Sequence, residues 1–410
     1  MRVIFLAPSY PAEMALFTRG LANVGAEVYG VGDQPLQSMD PSVRHAMTAY
    51  LQVPRIMADD DVFERVVAWA QTLSSEGKGI DRVLTCWEPT VLLAARLREA
   101  LGVMGMTHDV ALGFRDKQLM KERLAAAGVR VPMSVRASTA EQMRQAAKTI
   151  GFPLIVKPIA GAGSADTYAV RNDDEFEKVI AAVARVSEVS VEEYIEGEEF
   201  TYDTVCIEGE PVYENVAQYL PKPLEARSHE WISPVIITVR DLESQKMRKG
   251  LELGRQVLKA LGMHDGFTHM EWFYTPKGEA VFGEIGCRPG GARLVDQMNY
   301  TSDIDLFTEW ARACCWHAFE GDTTRKYNCA IVFKRAKGQG RIQAITGLEH
   351  FKHACGPAFV VDNLLRPGQQ RRNWLHTLVS DGYVIIRHED WETARRLAFT
   401  AATDITLDAS

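Results

Sequence analysis

Alternation of strand and helix constrains this chain most, and it begins at the first residues. Residues 2–7, RVIFLA, read as a short apolar strand, and Met14, Phe17, Leu21 and Val24 then recur at helical spacing. Residues 26–32, AEVYGVG, read as a second strand, and RVLTCW at 82–87 as a third that runs through Glu88-Pro89 into an apolar helix ending before Gly102. Strands joined through helices pair in parallel, and ligands of such sheets gather at the strands' carboxyl ends. Ser9-Tyr10 and Cys86-Trp87-Glu88 lie at those ends. No GxGxxG follows the first strand and no GxxxxGK[ST] occurs, which weighs against a dinucleotide fold or a P-loop.

The alternation changes character along the chain, and with 410 residues more than one core is expected. We divide it into a parallel α/β domain at 1–106, two α+β units at 107–190 and 191–319, and a small α+β unit at 320–410, where short strands and turns precede a last strand and helix. The RDK segment at 115–117 is placed inside a helix running to Ala127 and capped by Gly128. No apolar run approaches the ~20 residues that cross a bilayer, and the first strand is too short for a signal segment. A net charge of −8 argues against broad nucleic-acid binding. The seven cysteines form no CxxC pair and no Cys/His metal spacing, so reduced thiols in a cytoplasmic protein are expected.

Chemistry concentrates in a hairpin. THMEWFY (268–274) and EAVFGEIG (279–286) flank Thr275-Pro276-Lys277-Gly278, a sequence with turn chemistry. An even loop centred between Pro276 and Lys277 sets Glu271 opposite Phe282 and His269 opposite Glu284. His269, Glu271, Glu284 and Gly286 then share one face, with the two glutamates as diagonal neighbours roughly 7–8 Å apart. Two carboxylates so placed repel unless a cation lies between them, and oxygen-only ligands suit Mg²⁺. The same pair would also suit the solvated face of an edge hairpin. What favours chemistry is Arg288 at the strand end, beside the bare amides of Gly290 and Gly291.

Two further segments suit a nucleotide. Lys157 ends the strand PLIVKP (153–158) above a small-residue loop containing Gly161, Gly163 and Ser164, whose amides could cover phosphates while the ammonium holds them. VEEYIEGEEF (191–200) offers the acids Glu192 and Glu193, the apolar Ile195 and a further acid, Glu199. These match the needs of an adenine amino group, a base wall and a ribose. A plain turn and an acidic surface hairpin remain the alternatives on these segments alone.

Taken in order over roughly 107–300, DK, IVKP with its Gly/Ala loop, EEYIEGEEF and HMEW…EIGCRPGG resemble the ATP-grasp superfamily. Residues 1–106 look like its pre-ATP-grasp domain, and 320–410 are similar to the tail of the L-amino-acid ligase and carnosine-synthase branch. The resemblance implies two α+β subdomains that enclose ATP and join a carboxylate to an amine through an acyl phosphate, with two Mg²⁺ ions that Mn²⁺ can replace. It assigns Lys117 and Lys157 to phosphates, Glu192 and Ile195 to adenine, Glu199 to ribose, Glu271 and Glu284 to metal, and Arg288 to the transferring phosphoryl group. Glu88 and His269 match positions near a substrate's amino end. Small-molecule carboxylates and amines, amino acids above all, are the implied partners, and relatives commonly form homodimers. One position departs: the family's Glu-x-Asn-x-Arg carries a third metal ligand where this chain has Gly286. Another ATP-grasp ligase or carboxylase component, and an ATP-binding protein without turnover, are the competing readings.

Overall fold

The computed structural model describes residues 1–159 and 167–410. The first sheet is parallel throughout, in the order Ala49–Gln52, Glu27–Gly32, Arg2–Leu6, Arg82–Leu84. Helices on its faces bury Val3, Phe5 and Val28 on one side and Ile4, Leu6 and Val31 on the other, as an all-parallel sheet requires. Glu88 opens a short turn just beyond the carboxyl end of Arg82–Leu84.

The second sheet is antiparallel, in the order Ser134–Ala137, Val189–Glu193, Leu154–Pro158, Tyr168–Val170. The strand Val189–Glu193 straddles the boundary drawn at 190, so that division falls within a strand. The RDK segment is also corrected. The helix is Lys117–Ala126, and Asp116 caps it by accepting from the amides of Gln118 and Leu119, which leaves Arg115 and Asp116 outside.

An eight-stranded antiparallel sheet forms the body of the molecule. It begins with Ala280–Gly286, Gly266–Tyr274 and Glu198–Ile207. The region 320–410 is not detached from it: Asn328–Phe333 pairs with Val235–Thr238, and Gly382–His388 and Phe359–Leu364 extend the sheet to its far edge. Alternation divides this sheet between two tasks. Phe200, Tyr202, Met270 and Trp272 face the helix Gln245–Leu261, where a Cβ on Gly250 or Gly254 would overlap the rings of Trp272 and Tyr202. Glu199, Thr201, Asp203, His269 and Glu271 occupy the other face, which is the one that carries the chemistry. Among the described residues no helix is long and apolar enough to cross a membrane.

Candidate active site

The hairpin register differs from the expected one. Glu271 stands directly opposite Glu284, His269 opposite Gly286 and Trp272 opposite Phe282, with a bulge at Gly283. A Cβ at Gly283 would lie 2.8 Å from the Glu271 carbonyl oxygen, so the bulge needs a residue without one. The loop holds five residues, 275–279, closed by the Thr275 amide on the Glu279 carbonyl (2.9 Å). The four residues still share a face, because the extra residue lies between Glu284 and the turn, beyond Glu271. The two carboxylates are therefore direct neighbours, closer than the diagonal arrangement implies.

Two lysines reach Glu284, and a third joins them through Glu192. Lys117 Nζ is 2.8 Å from Glu284 Oε1, and Lys157 Nζ is 3.8 Å from Glu284 Oε2 and 3.0 Å from Glu192 Oε2. Lys121, one helical turn beyond Lys117, sits 2.5 Å from Glu192 Oε1 with its side chain only 4% exposed. Burial pulls the Lys121 ammonium down to about 8, although Glu192 attracts its charge. Burial likewise opposes ionisation of Glu192, but Lys157 and Lys121 outweigh it and hold the carboxyl at about 2. Burial also works against the Lys157 charge, and Glu192 and Glu284 reverse the direction and raise its pKa. The three ammonium groups are thus held by the carboxylates of Glu192 and Glu284, contacts of a kind that an anionic ligand can replace.

Glu271 accepts from the Tyr219 hydroxyl (3.2 Å), and Glu199 is buried beside it. Burial, and then the charge of Glu271, push the Glu199 carboxyl up to about 8. An unfolded glutamate titrates near ~4.3, so the stabilisation by protonated Glu199 is complete below that value and is lost as the pH rises through the folded one. The melting temperature of the wild type relative to Glu199→Gln should therefore fall between pH 5 and pH 9. A difference that stays constant over that range would contradict the assignment.

At the strand end, Arg288 Nε is 2.5 Å from Glu88 Oε2, and Arg115 pairs with the other oxygen of the same carboxylate. Gly286 lies close against them: a Cβ there would be 3.1 Å from Glu88 Oε2, so that carboxylate would have to shift by a few tenths of an ångström. His269 Nδ1 lies 2.6 Å from Asp203 Oδ1, whose second oxygen accepts from Thr201 Oγ1 (2.8 Å) and Asn215 Nδ2 (3.2 Å). Gly290 closes over this imidazole, since a Cβ there would be 3.0 Å from Nδ1, while Gly291 opens onto free space.

Glu88, Lys117, Lys157, Glu192, Glu199, His269, Glu271, Glu284, Arg288 and Gly290 therefore lie along one connected face. Ile195 is buried just beyond Val189–Glu193. Glu193 is not brought to the lysines: it pairs with Arg130 (2.7 Å) and accepts from the Met133 amide (3.1 Å). Gly163 and Ser164 lie outside the described residues. Sequence reasoning missed Lys121, Arg115, Tyr219 and Asp203. Lys121 could have been found from its i,i+4 spacing to Lys117, and Arg115 from its place beside Asp116-Lys117.

Among the described residues no group of three or more His, Cys, Asp or Glu side chains forms a ready metal cage. Glu271 and Glu284 supply only oxygen, and Mg²⁺ characteristically takes one or two carboxylates and completes its shell with water and phosphate. The two residues fit that ion.

Residues 150–296 match the family model of the ATP-grasp domain. The chain is 28% identical over 256 residues to an L-arginine-specific L-amino acid ligase of Bacillus subtilis, a match that spans 60% of this chain and 61% of that enzyme's length. The likeness of fold extends over the whole chain. An L-amino acid ligase from Bacillus licheniformis superposes with a TM-score of 0.78 at 19% identity, covering 100% of this chain and 98% of its own. The N5-carboxyaminoimidazole ribonucleotide synthetase of Thermotoga maritima gives a TM-score of 0.72 at 17% identity, covering 100% and 99%. At these identities the likeness is one of fold, and it agrees with the expected parallel sheet followed by antiparallel ATP-grasp sheets.

Proposed function

We propose that this protein is an ATP-dependent carboxylate–amine ligase that forms an amide through an acyl phosphate. The observation that carries the reading is Arg288: at the end of the strand bearing Glu284, its guanidinium already holds a carboxylate, that of Glu88. A substrate carboxylate bound in the same way would lie beside the floor formed by Lys117, Lys121 and Lys157. The amino-acid ligase relative supports amino acids as the substrates that are joined.

In this reading Lys117 and Lys157 exchange Glu284 and Glu192 for phosphate oxygens, and Ile195 and Glu199 receive base and ribose. Mg²⁺ held by Glu271 and Glu284 would neutralise charge on the terminal phosphates. A carboxylate oxygen attacks the γ-phosphorus, the bond to the ADP oxygen breaks, and Arg288 stabilises the charge on the transferring group. The amine nitrogen then attacks the acyl carbon, phosphate leaves with the bonding electrons, and the nitrogen loses a proton.

The test is phosphate release from ATP and Mg²⁺ in wells holding pairs of carboxylic acids and amines, amino acids included, with mass spectrometry of active wells. Release that requires both partners, with a product at their summed mass less water, is the expected result. ATP hydrolysis indifferent to the acid would overturn the reading.

A further inference from the structure

Met120 and Leu124 pack into the core that holds Phe200 and Trp272, and they fix the helix Lys117–Ala126 that carries Lys121. The Lys121 side chain is buried, and its Nζ meets Glu192 Oε1 at 2.5 Å. The contact is one of charge: its angles are not those of a hydrogen bond, and neither atom has a hydrogen-bond partner among the described residues. Glu192, itself buried, therefore presents an acceptor that no donor fills. A buried acceptor in that state costs free energy until a donor reaches it.

The two lysines on Glu192 differ in their freedom to leave it. Lys157 also reaches Glu284, and in the ligase reading it turns to phosphate oxygens. Lys121 has no ion pair other than the one with Glu192 among the described residues, and Lys157 and Glu284 are the other charged groups that act on it most strongly. When Lys157 turns away, Lys121 leaves Glu192 as half of a neutral pair. Although burial works against its charge, the Glu192 carboxyl stands at about 2 with both lysines present. Without Lys121 the buried carboxylate would be left with a departing partner, and burial would drive it to take up a proton. That difference decides what it can bind. A carboxylate only accepts hydrogen bonds, whereas a protonated carboxyl also donates one. A 6-amino purine offers a donor where a 6-oxo purine offers an acceptor.

We propose that Lys121 is a positioning residue for the choice of base: it holds Glu192 ionised and in place, so that the site takes a 6-amino purine nucleotide and rejects a 6-oxo one. The inference rests on the nucleotide part of the ligase reading and deepens it by naming the residue on which base selection depends.

Calorimetric titration with ADP and with IDP, each with Mg²⁺, reads this choice without turnover. The wild type should bind ADP at least about tenfold more tightly than IDP from pH 6 to pH 9, the scale of one buried hydrogen bond to a charged group. Lys121→Met should lose most of that ratio at pH 6, where the protonated Glu192 can donate to the 6-oxo group, and regain it towards pH 9. Lys121→Arg keeps a cation on Glu192 and should keep the ratio throughout. General damage to the fold would weaken both nucleotides alike and leave the ratio unchanged. A wild type that binds ADP and IDP equally, or a Lys121→Met protein with the wild-type ratio at pH 6, overturns the inference and leaves the ligase reading intact. If neither nucleotide binds the wild type, the ATP-dependent reading fails, and the inference with it.

Discussion

Arg288→Ala should lose about 10³-fold or more in turnover while ATP still binds. An arginine that neutralises charge on a transferring phosphoryl group is typically worth about 10³–10⁵ in rate, whereas in the proposed reading the nucleotide is held by other residues, Lys117, Lys157, Glu192 and Glu199. The variant has a second consequence that must be separated from the first. Glu88 loses its 2.5 Å partner and keeps only Arg115. Breaking a buried pair costs about 3–5 kcal/mol when nothing remains for the survivor, so a smaller loss is expected here. Measuring both properties separates the two consequences: a modest fall in melting temperature, with acid-dependent phosphate release reduced by the much larger factor, is the expected result. Normal turnover in Arg288→Ala would remove this residue from the chemistry.

Why Arg288 was legible and Arg115 was not follows from how each reaches the site. Arg288, Glu284 and Glu271 are near in sequence and share a hairpin, so strand periodicity alone puts them on one face. Their exact register depended on the bulge at Gly283, a glycine indistinguishable in sequence from an ordinary weak spot in a strand. Arg115 meets Glu88 and Arg288 only after three separate elements pack, at separations of 27 and 200 residues between the bonded partners. The same holds for the final 90 residues. Their short strands suggested a unit of their own, but nothing local in Asn328–Phe333 reveals that its partner is Val235–Thr238. Glu193 shows the opposite limit. It sits in a motif with Glu192, and strand alternation alone turns it towards Arg130. Motif membership and the direction of a side chain are separate questions.

Glu192→Ala should be among the most destabilising single changes in the empty protein, and the reason lies in the two lysines it serves. Its side chain is 5% exposed and stands 2.5 Å from Lys121 Nζ and 3.0 Å from Lys157 Nζ. Removing it leaves Lys121 buried without that partner and Lys157 with only the 3.8 Å contact to Glu284 among its described ion pairs. A stranded buried charge costs about 3–5 kcal/mol, although Lys121, already pulled down to about 8, can shed its proton and limit the loss at higher pH. The pH dependence is therefore part of the prediction. The deficit of Glu192→Ala in melting temperature should be largest near pH 6 and should shrink towards pH 9 as Lys121 becomes neutral. Glu192→Gln combined with Lys121→Met removes the buried anion and one cation together and should recover much of the stability, as apolar replacement of buried ion pairs often does. A Glu192→Ala protein that melts like the wild type across that range would mean the pair is solvated in solution, and the proposed phosphate seat on Lys121 and Lys157 would lose its structural basis.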